Sequence, residues 1–360
     1  MGKAILIGAG VAAGLFGLAA LSLRIPVVQD RLFDRAIDKA VNAPIAQLFN
    51  DDGLKVFFCG TGSPLPSRKR AQTCTAVFAG DKFFLVDAGS GSFENIQGAG
   101  IPASRLAGVF LTHFHSDHIG DLSEANLGSW VTARPAPLPV YGPSGVERVV
   151  AGENEAFALD AEYRIAHHGK GIAPLRSEGM SARAFDGSAL VVVLDDGGLD
   201  DGGLKVTAFP VKHDPVTPAV GYRFDYQGRS VVISGDTAFS SSLVANAKGA
   251  DLLIHEAQAN HMVAKLQRAA AKAGNATTAQ IFADIPSYHT SPEDAARAAN
   301  EAGAGWLVLS HLTPAPDNAV AKSIFMRGVS KVRPANVRLA DDRMLVLLPK
   351  AGGIAFETFE

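Results

Sequence analysis

The chain has 360 residues, of which 47% are hydrophobic and 19% are charged, so it can bury a large core and is not intrinsically disordered. Its formal net charge is −3, and it contains no basic run suited to a phosphate backbone. This balance makes nucleic acid an unexpected partner without excluding it.

The first segment of the chain is an apolar leader. From Ala4 to Leu23 it carries no charge, and twenty helical residues span the hydrocarbon core of a bilayer, about 30 Å. Residues 1–25 are therefore predicted to be a transmembrane anchor or a signal peptide, with cleavage left open. Basic residues on both sides leave the orientation open. We expect a location in the bacterial cell envelope, membrane-anchored or periplasmic.

Two further regions follow the leader. Residues 26–52 combine helical spacing with mixed charge, which predicts a helical connector. From residue 53 to residue 360, short β-rich runs are broken by Gly and Pro turns, which predicts one large domain. Strands are predicted at "LKVFFCG", "CTAVFAG", "KFFLVDAG", "LAGVFLT", 190–194, 204–209, 219–225, 229–234, 251–254, 305–310 and 344–348. Helices are predicted at 92–98, 144–157, 240–248, 258–273 and 292–302.

This order of elements predicts an α/β fold. Strands dominate both halves of the domain and helices lie between them, so we expect two mixed sheets packed face to face with helices outside. Cys59 and Cys74 lie in neighbouring predicted strands. A disulfide is geometrically allowed there, and two buried free thiols are the alternative.

Polar residues crowd the segment "GVFLTHFHSDHIGDL", directly behind a predicted buried strand that ends at Thr112. His113, His115, Asp117 and His118 then lie on a loop at the carboxyl edge of a strand, where α/β folds collect ligands. Imidazole nitrogens and a carboxylate, with no thiolate, suit a catalytic divalent cation such as Zn²⁺. The sequence therefore predicts metal ligands in this loop.

Three more residues share the layout of an apolar strand followed by one polar side chain. His213 follows "LKVTAFPVK", Asp236 follows "RSVVISG" and His311 ends "GWLVLSH". Each alone is typical of a hydrogen-bonded surface residue. Together they supply the two nitrogens and the bridging carboxylate that the first loop lacks.

This set of motifs resembles that of the metallo-β-lactamase superfamily from Leu54 to the C-terminus, with "VDAG" as its first motif. The resemblance implies a four-layer αββα hydrolase domain with two Zn²⁺ ions, and Mn²⁺ or Fe²⁺ remain alternatives. By position, Asp87 of "VDAG" lies behind the metals and fixes the ligand loop. The implied ligands are His113, His115 and His213 for one ion, Asp117, His118 and His311 for the other, and Asp236 between them.

Within that superfamily the chain is similar to the ribonuclease Z and arylsulfatase branch. The segments "GTGSPLPSRKRAQT", "PLPVYGPSG", "VGYRF" and "HEA" carry this likeness. His289 in "YHTSPEDAARAA" corresponds to a histidine that sits over the metal centre in the branch, although the order here is His-Thr-Ser. It is a candidate acid for the leaving alkoxide, and a helix cap is the alternative.

The predicted function is a dinuclear zinc hydrolase of small anionic esters, arylsulfatase-like or a phosphodiesterase. A metal-bridging hydroxide, oriented by Asp117, would attack the sulfur or phosphorus of the ester. The tRNA-processing members carry a long arm between the third and fourth motifs, whereas "VGYRFDYQGRSVVISGD" leaves no room for one. A ribonuclease Z-like tRNA 3′-end endoribonuclease, a lactonase and a non-enzymatic zinc protein stay as alternatives. A homodimer is left open.

Several other residues have two interpretations. His167 and His168 are interpreted as loop histidines rather than residues of a substrate mouth. Arg134, after the metal loop, is a candidate contact for an anion. His255 and Glu256 form either a polar pair beneath the site or a buried pair that ties two strands together.

Overall fold

The structure, a computed structural model, describes residues 23–41, 45–50, 52–197 and 203–359. The chain divides into two units, Met1–Ile45 and Ala46–Glu360. In the first unit, helix α1 spans Pro26–Val41. Almost all of the leader predicted at residues 1–25 lies outside the described residues. Within the described ranges, no helix combines the length and the apolar character needed to span a membrane.

The second unit contains two mixed β-sheets. The first sheet has the order β15-β14-β1-β2-β3-β4-β5-β6, where the strands are β1 (Leu54–Gly60), β2 (Cys74–Ala79), β3 (Lys82–Val86), β4 (Leu106–Phe110), β5 (Leu138–Pro143), β6 (Met180–Phe185), β14 (Met344–Leu348) and β15 (Ala355–Thr358). The second has the order β13-β12-β11-β10-β9-β8-β7, where the strands are β7 (Val191–Asp196), β8 (Leu204–Pro210), β9 (Val220–Tyr226), β10 (Arg229–Ile233), β11 (Leu252–Gln258), β12 (Trp306–Thr313) and β13 (Val337–Leu339).

Helices connect the strands and cover the sheets. Their bounds are α2 (Ser92–Gly98), α3 (Ser116–Ile119), α4 (Leu122–Val131), α5 (Val146–His168), α6 (Ser241–Asn246), α7 (Asn260–Lys272), α8 (Ala276–Asp284), α9 (Pro292–Glu301), α10 (Ala319–Phe325) and α11 (Val329–Val332).

Alternate residues of the strands fill the space between the two sheets. Leu54, Val56 and Phe58 of β1 belong to the same core as Val220 and Tyr222 of β9. Because successive side chains of a strand point to opposite faces, this period of two places one face of each sheet against the other.

Helices cover the outer faces. Ala295 and Ala299 of α9 pack with Leu253 of β11 and Leu309 of β12 in a second core, while α2 contacts β1 and α5 contacts β5 and β6. The short alanine side chains allow helix and sheet to approach closely. The predicted four-layer αββα arrangement is confirmed.

The positions of the candidate ligands follow from the direction of the strands. In the first sheet β3, β4, β5 and β6 run parallel, and in the second β10, β11, β12 and β13 do. Asp87 directly follows β3, His113 comes three residues after β4, and Asp236 comes three residues after β10. The carboxyl ends of parallel strands share one edge of a sheet, so each sheet presents its polar residues along such an edge.

Cys59 and Cys74 form a disulfide between neighbouring strands β1 and β2. The sequence left open a disulfide or two free thiols, and the structure contains the disulfide. It closes the loop that carries the Gly-Thr-Gly turn.

Several elements differ from the sequence predictions. Strands β5, β6, β13 and β15 and the short helices α10 and α11 were not predicted, and two longer helices also differ. Helix α5 continues to His168 instead of ending near residue 157, so His167 and His168 lie exposed in its last turn and not on a loop. Most of α5 is exposed, and an exposed helix lacks the apolar periodicity that reveals its length. Helix α8, which has no buried residue, was not predicted for the same reason.

Candidate metal centre

The ligand loop after β4 is held from behind by Asp87. This residue is buried, has a positive φ of 59°, and its carboxylate accepts hydrogen bonds from Thr112 N at 2.8 Å and Thr112 Oγ1 at 2.9 Å. It also contacts His118 Nδ1 at 2.8 Å. The carboxylate therefore fixes both the start of the loop and the orientation of one imidazole, which agrees with its predicted position.

Three histidines form the first half of the cluster. The rings of His113 and His115 lie 4.7 Å apart, and those of His113 and His213 lie 4.9 Å apart. Together with Asp236 they offer donor atoms that all lie within 4.8 Å of one another. His213 arrives on the loop after β8, so the group draws on both sheets.

The second half consists of Asp117, His118 and His311, whose donor atoms also lie within 4.8 Å of one another. His311 Nε2 is 3.1 Å from Asp117 Oδ2, and His118 Nε2 is 3.6 Å from the same oxygen. All three side chains are buried.

Asp236 lies between the two halves. Its Oδ2 is 3.9 Å from His113 Nε2, 3.4 Å from His118 Nε2 and 4.0 Å from His213 Nε2, while its Oδ1 is 3.4 Å from His311 Nε2. The structure thus brings together all seven residues that the sequence singled out, with Asp236 between the two halves.

The donors in this cluster fit a divalent cation. Within the seven cluster residues, four buried polar atoms have no hydrogen-bond partner: His118 Nε2, His213 Nε2, Asp236 Oδ1 and His311 Nδ1. Buried polar groups are rarely left unpaired, and such groups in a native structure call for an explanation such as an ion. Nitrogen and oxygen donors without a thiolate are typical of a catalytic divalent metal centre.

The protonation states of the cluster also suit a cation. Burial and the neighbouring His118 hold the pKa of His113 well below its ordinary value. Burial would lower the pKa of His118 too, but Asp236 and Asp87 raise it well above its ordinary value. Burial would raise the pKa of Asp236, but His311 and His118 hold it well below. Binding of a cation would therefore displace a proton from this cluster.

Replacing Asp87 by Asn is expected to weaken metal binding about 10- to 100-fold, the usual cost of removing an outer hydrogen-bond partner. The amide no longer matches the hydrogen bonds to Thr112 and His118, while Asn tolerates the positive φ. Competition with a chelating dye measures the affinity. Asp81→Asn, in the exposed turn between β2 and β3, is the control, and an unchanged affinity in Asp87→Asn would contradict the assigned position.

His289 lies against the same cluster. Its ring is 5.3 Å from that of His213 and 5.7 Å from that of His311. Its Nδ1 is 3.1 Å from Oε1 of Glu256. Burial lowers the pKa of His289, but the charge and hydrogen bond of Glu256 and the charge of Asp236 raise it to about 9. The ring is therefore a protonated donor close to both halves of the cluster.

Glu256 and His255 are adjacent in β11, but their side chains lie on opposite faces of the strand. Glu256 Oε1 accepts hydrogen bonds from the backbone N–H groups of Thr290 at 2.9 Å and Thr237 at 3.3 Å, which fixes the carboxylate that faces His289. His255 precedes it on β11 and so points to the opposite face, where it is fully buried. Only Glu256 belongs to the site.

Arg134 does not meet the cluster. Its buried guanidinium donates hydrogen bonds to Ser129 Oγ, Ala136 O, Asn126 Oδ1 and Gly179 O. These neutral acceptors tie the end of α4 to the start of β6. The interpretation of Arg134 as an anion contact was wrong because its donors already serve the fold.

An open cleft of about 590 Å³ adjoins the cluster on the side of His115. An added Cβ at Gly145 would lie 3.1 Å from the ring of Phe114, so this turn packs against that ring. The sequence did not single out Phe114 or Arg148, although the place of Phe114 between two ligands was a usable signal. The loop after β4, the start of α5 and the loop after β8 line the cleft, with residues Phe114, His115, Arg148, Val149, Val216 and Pro218.

Comparisons with known proteins place this geometry in a family. The family described as beta-lactamase superfamily domain matches residues 82–312. A Ribonuclease Z of Mycobacterium bovis is 40% identical over 265 residues, which cover 73% of this chain and 87% of the relative. A Ribonuclease Z of Mycobacterium avium is 39% identical over 266 residues, with the same coverage of 73% and 87%.

Solved structures show the same fold. The short form of human tRNase Z superposes with a TM-score of 0.58 at 22% identity, over 82% of this chain and 99% of that one. The metallo-beta-lactamase fold protein YhfI of Bacillus subtilis gives a TM-score of 0.57 at 22% identity, over 82% and 99%.

These relatives correct the predicted function. The prediction of an arylsulfatase-like or phosphodiesterase enzyme for small anionic esters was wrong, because relatives that share 40% identity over most of their length bear the name Ribonuclease Z. The residues Asp87, His289 and all seven cluster residues lie inside the matched family region. The chain belongs to the metallo-β-lactamase superfamily of metal-dependent hydrolases and, within it, to the ribonuclease Z family.

Proposed function

We propose that the chain is a metal-dependent endoribonuclease of the ribonuclease Z type, acting on the 3′ end of precursor tRNA. One observation carries this proposal. A chain 40% identical to a Ribonuclease Z over 87% of that protein's length brings seven histidine and aspartate donors together at one edge of its sandwich.

We further propose the residues that hold the cations. His113, His115 and His213 would bind one, Asp117, His118 and His311 the other, and Asp236 both, with Zn²⁺ as the metal and Mn²⁺ or Fe²⁺ as alternatives. When bound, two divalent cations supply positive charge for the phosphoryl oxygens and lower the pKa of a water molecule.

The chain's own residues then perform the remaining tasks. Asp117, which lies beside His118 and His311 in the cluster, would orient the attacking water for displacement at phosphorus. His289 donates a proton to the ribose oxygen that leaves, so that no free alkoxide forms. Glu256 positions the ring through Nδ1, which leaves Nε2 as the donating atom.

The cleft beside His115 suits a nucleotide next to the scissile bond. Phe114 offers an aromatic ring on which a base can stack. Arg148 is exposed on the same cleft and supplies a positive charge for a flanking phosphate. Because Phe114 lies between His113 and His115 in the chain, a base on that ring is close to the cluster.

A substrate panel combined with metal analysis tests the proposal. We expect the purified full chain to contain divalent metal and to cleave a precursor tRNA transcript at its 3′ side. Turnover of an aryl sulfate and of a lactone should be far lower. A metal-loaded protein that hydrolyses the lactone or the sulfate but leaves the transcript intact would refute the endoribonuclease assignment.

A further inference from the structure

The tight turn between β9 and β10 leaves no arm between His213 and Asp236, as the sequence predicted. The two strands pair directly, with Tyr226 opposite Arg229. An enzyme that acts on a structured RNA needs contacts beyond the scissile bond, because phosphate contacts provide most of the affinity for nucleic acid. Another part of the surface must provide them.

A helical hairpin projects next to the candidate metal centre. Its first helix, α7, begins two residues after Gln258, the end of the strand that carries Glu256. Its second helix, α8, leads through a short turn to His289. Both ends of the hairpin are therefore anchored beside the site. The thirteen residues of α7 extend about 20 Å away from that base.

The hairpin is largely exposed. Val263 is the buried residue of α7, and α8 has none. The two helices contact each other, so the hairpin packs mainly on itself. Such a projection does not contribute much to the core, and its surface is available to a ligand.

The exposed face of α7 is basic. Lys265, Arg268 and Lys272 are spaced by three and four residues and therefore lie on one side of the helix. Val263 is two positions from Lys265, which places it about 160° around the axis on the opposite side. From Asn260 to Ala283 the sequence contains no Asp or Glu, in a chain whose net charge is −3.

These three cations are not neutralised by neighbours. Within the described ranges, no carboxylate lies at ion-pair distance from any of them. Asp284, the first acid after the basic face, ends α8 at the base of the hairpin, and its Oδ1 accepts a hydrogen bond from Gln280 Nε2 at 2.8 Å. Three unpaired charges of one sign on a single helix face attract a polyanion.

We infer that the α7–α8 hairpin is the arm that grips the RNA substrate, with Lys265, Arg268 and Lys272 against its phosphate backbone. This inference rests on the proposed endoribonuclease function. Counted from Asn260, the three residues lie about 7 to 18 Å along the helix. They therefore reach phosphates several nucleotides from the scissile bond and are not needed for a small ester.

A triple variant tests the hairpin. Lys265→Gln, Arg268→Gln and Lys272→Gln together should weaken binding of a fluorescent RNA stem-loop about tenfold or more in moderate salt. The slope of log affinity against log salt should fall by about three, one for each lost phosphate contact. Fluorescence anisotropy over a series of KCl concentrations gives both quantities. Hydrolysis of bis(4-nitrophenyl) phosphate should keep its kcat.

The matched control is the triple variant Lys248→Gln, Lys331→Gln and Lys350→Gln, which removes three exposed lysines outside the hairpin. If its affinity and salt slope equal those of the hairpin variant, the hairpin is not the arm. A hairpin variant that also loses hydrolysis of the small ester would show a structural role and would equally overturn the inference. Failure of the unaltered protein to cleave RNA refutes the endoribonuclease proposal instead, a separate result.

Discussion

Asp236→Asn is expected to lower hydrolysis of any substrate about a thousandfold or more and to reduce the bound metal. The carboxylate faces the Nε2 atoms of His113, His118, His213 and His311 at distances of 3.4 to 4.0 Å. The amide has nearly the same shape but no negative charge, so it cannot neutralise two cations at once. Metal content and kcat, measured on the same preparation, check both effects.

A second carboxylate in the same sheet provides the control. Asp225 pairs with Arg223 on β9, at 2.9 Å and partly exposed, and exposed pairs of this kind contribute at most about 1 kcal/mol. Asp225→Asn should therefore keep both metal and activity. Full metal content and near-normal rates in Asp236→Asn would show that Asp236 does not bridge the two halves.

His289→Ala should slow cleavage of RNA about 10²- to 10⁴-fold, the usual contribution of a general acid. The leaving ribose oxygen is a strong base and needs a proton. The leaving nitrophenolate of bis(4-nitrophenyl) phosphate is a weak base, so its release should slow far less. The rates of the variant and of the unaltered protein, measured on both substrates, give the rate loss for each substrate.

Two further variants define the role of this histidine. Glu256→Gln should also slow cleavage of RNA more than hydrolysis of the nitrophenyl ester, but by a smaller factor than His289→Ala. The reason is that Glu256 orients the ring and keeps it protonated without contacting the substrate. His168→Ala, at the exposed end of α5, should change neither rate. Equal losses on RNA and on the nitrophenyl ester in His289→Ala would mean that the ring has a task other than proton donation.

The candidate ligand set was accessible to sequence reasoning because its pattern is local. His113, His115, Asp117 and His118 fall within six residues behind an obvious buried strand. His213 and His311 stand at ends of equally clear strands. Tertiary structure then only had to bring strand ends together, as parallel neighbours in a sheet do.

Other features depend on packing that the sequence does not display. Glu256 and His255 are adjacent and similar in polarity, and only the register of β11 decides which one faces the cluster. Arg134 looked available for an anion because the sequence does not show that its guanidinium folds back onto Asn126, Ser129 and Ala136. Helix α8 has no fully buried residue, so no clear apolar periodicity marked it.

The error in the predicted function has a similar origin. A missing arm at one position was interpreted as a small substrate. A second projection, between Glu256 and His289, could not be recognised while one of its two helices was unpredicted. The anchor or signal peptide, the envelope location and the homodimer stay predictions, which cell fractionation and light scattering check.

The cluster draws its donors from both halves of the sandwich: four from the loop after β4, and three from the ends of β8, β10 and β12. An ion held there is a non-covalent cross-link between the two sheets. By mass action, a ligand that binds only the folded chain adds about 2.7 kcal/mol of unfolding free energy at one hundred times its dissociation constant. The melting temperature of the protein should therefore follow the free cation concentration, and a thermal scan at several buffered metal levels reads the dissociation constant without any substrate.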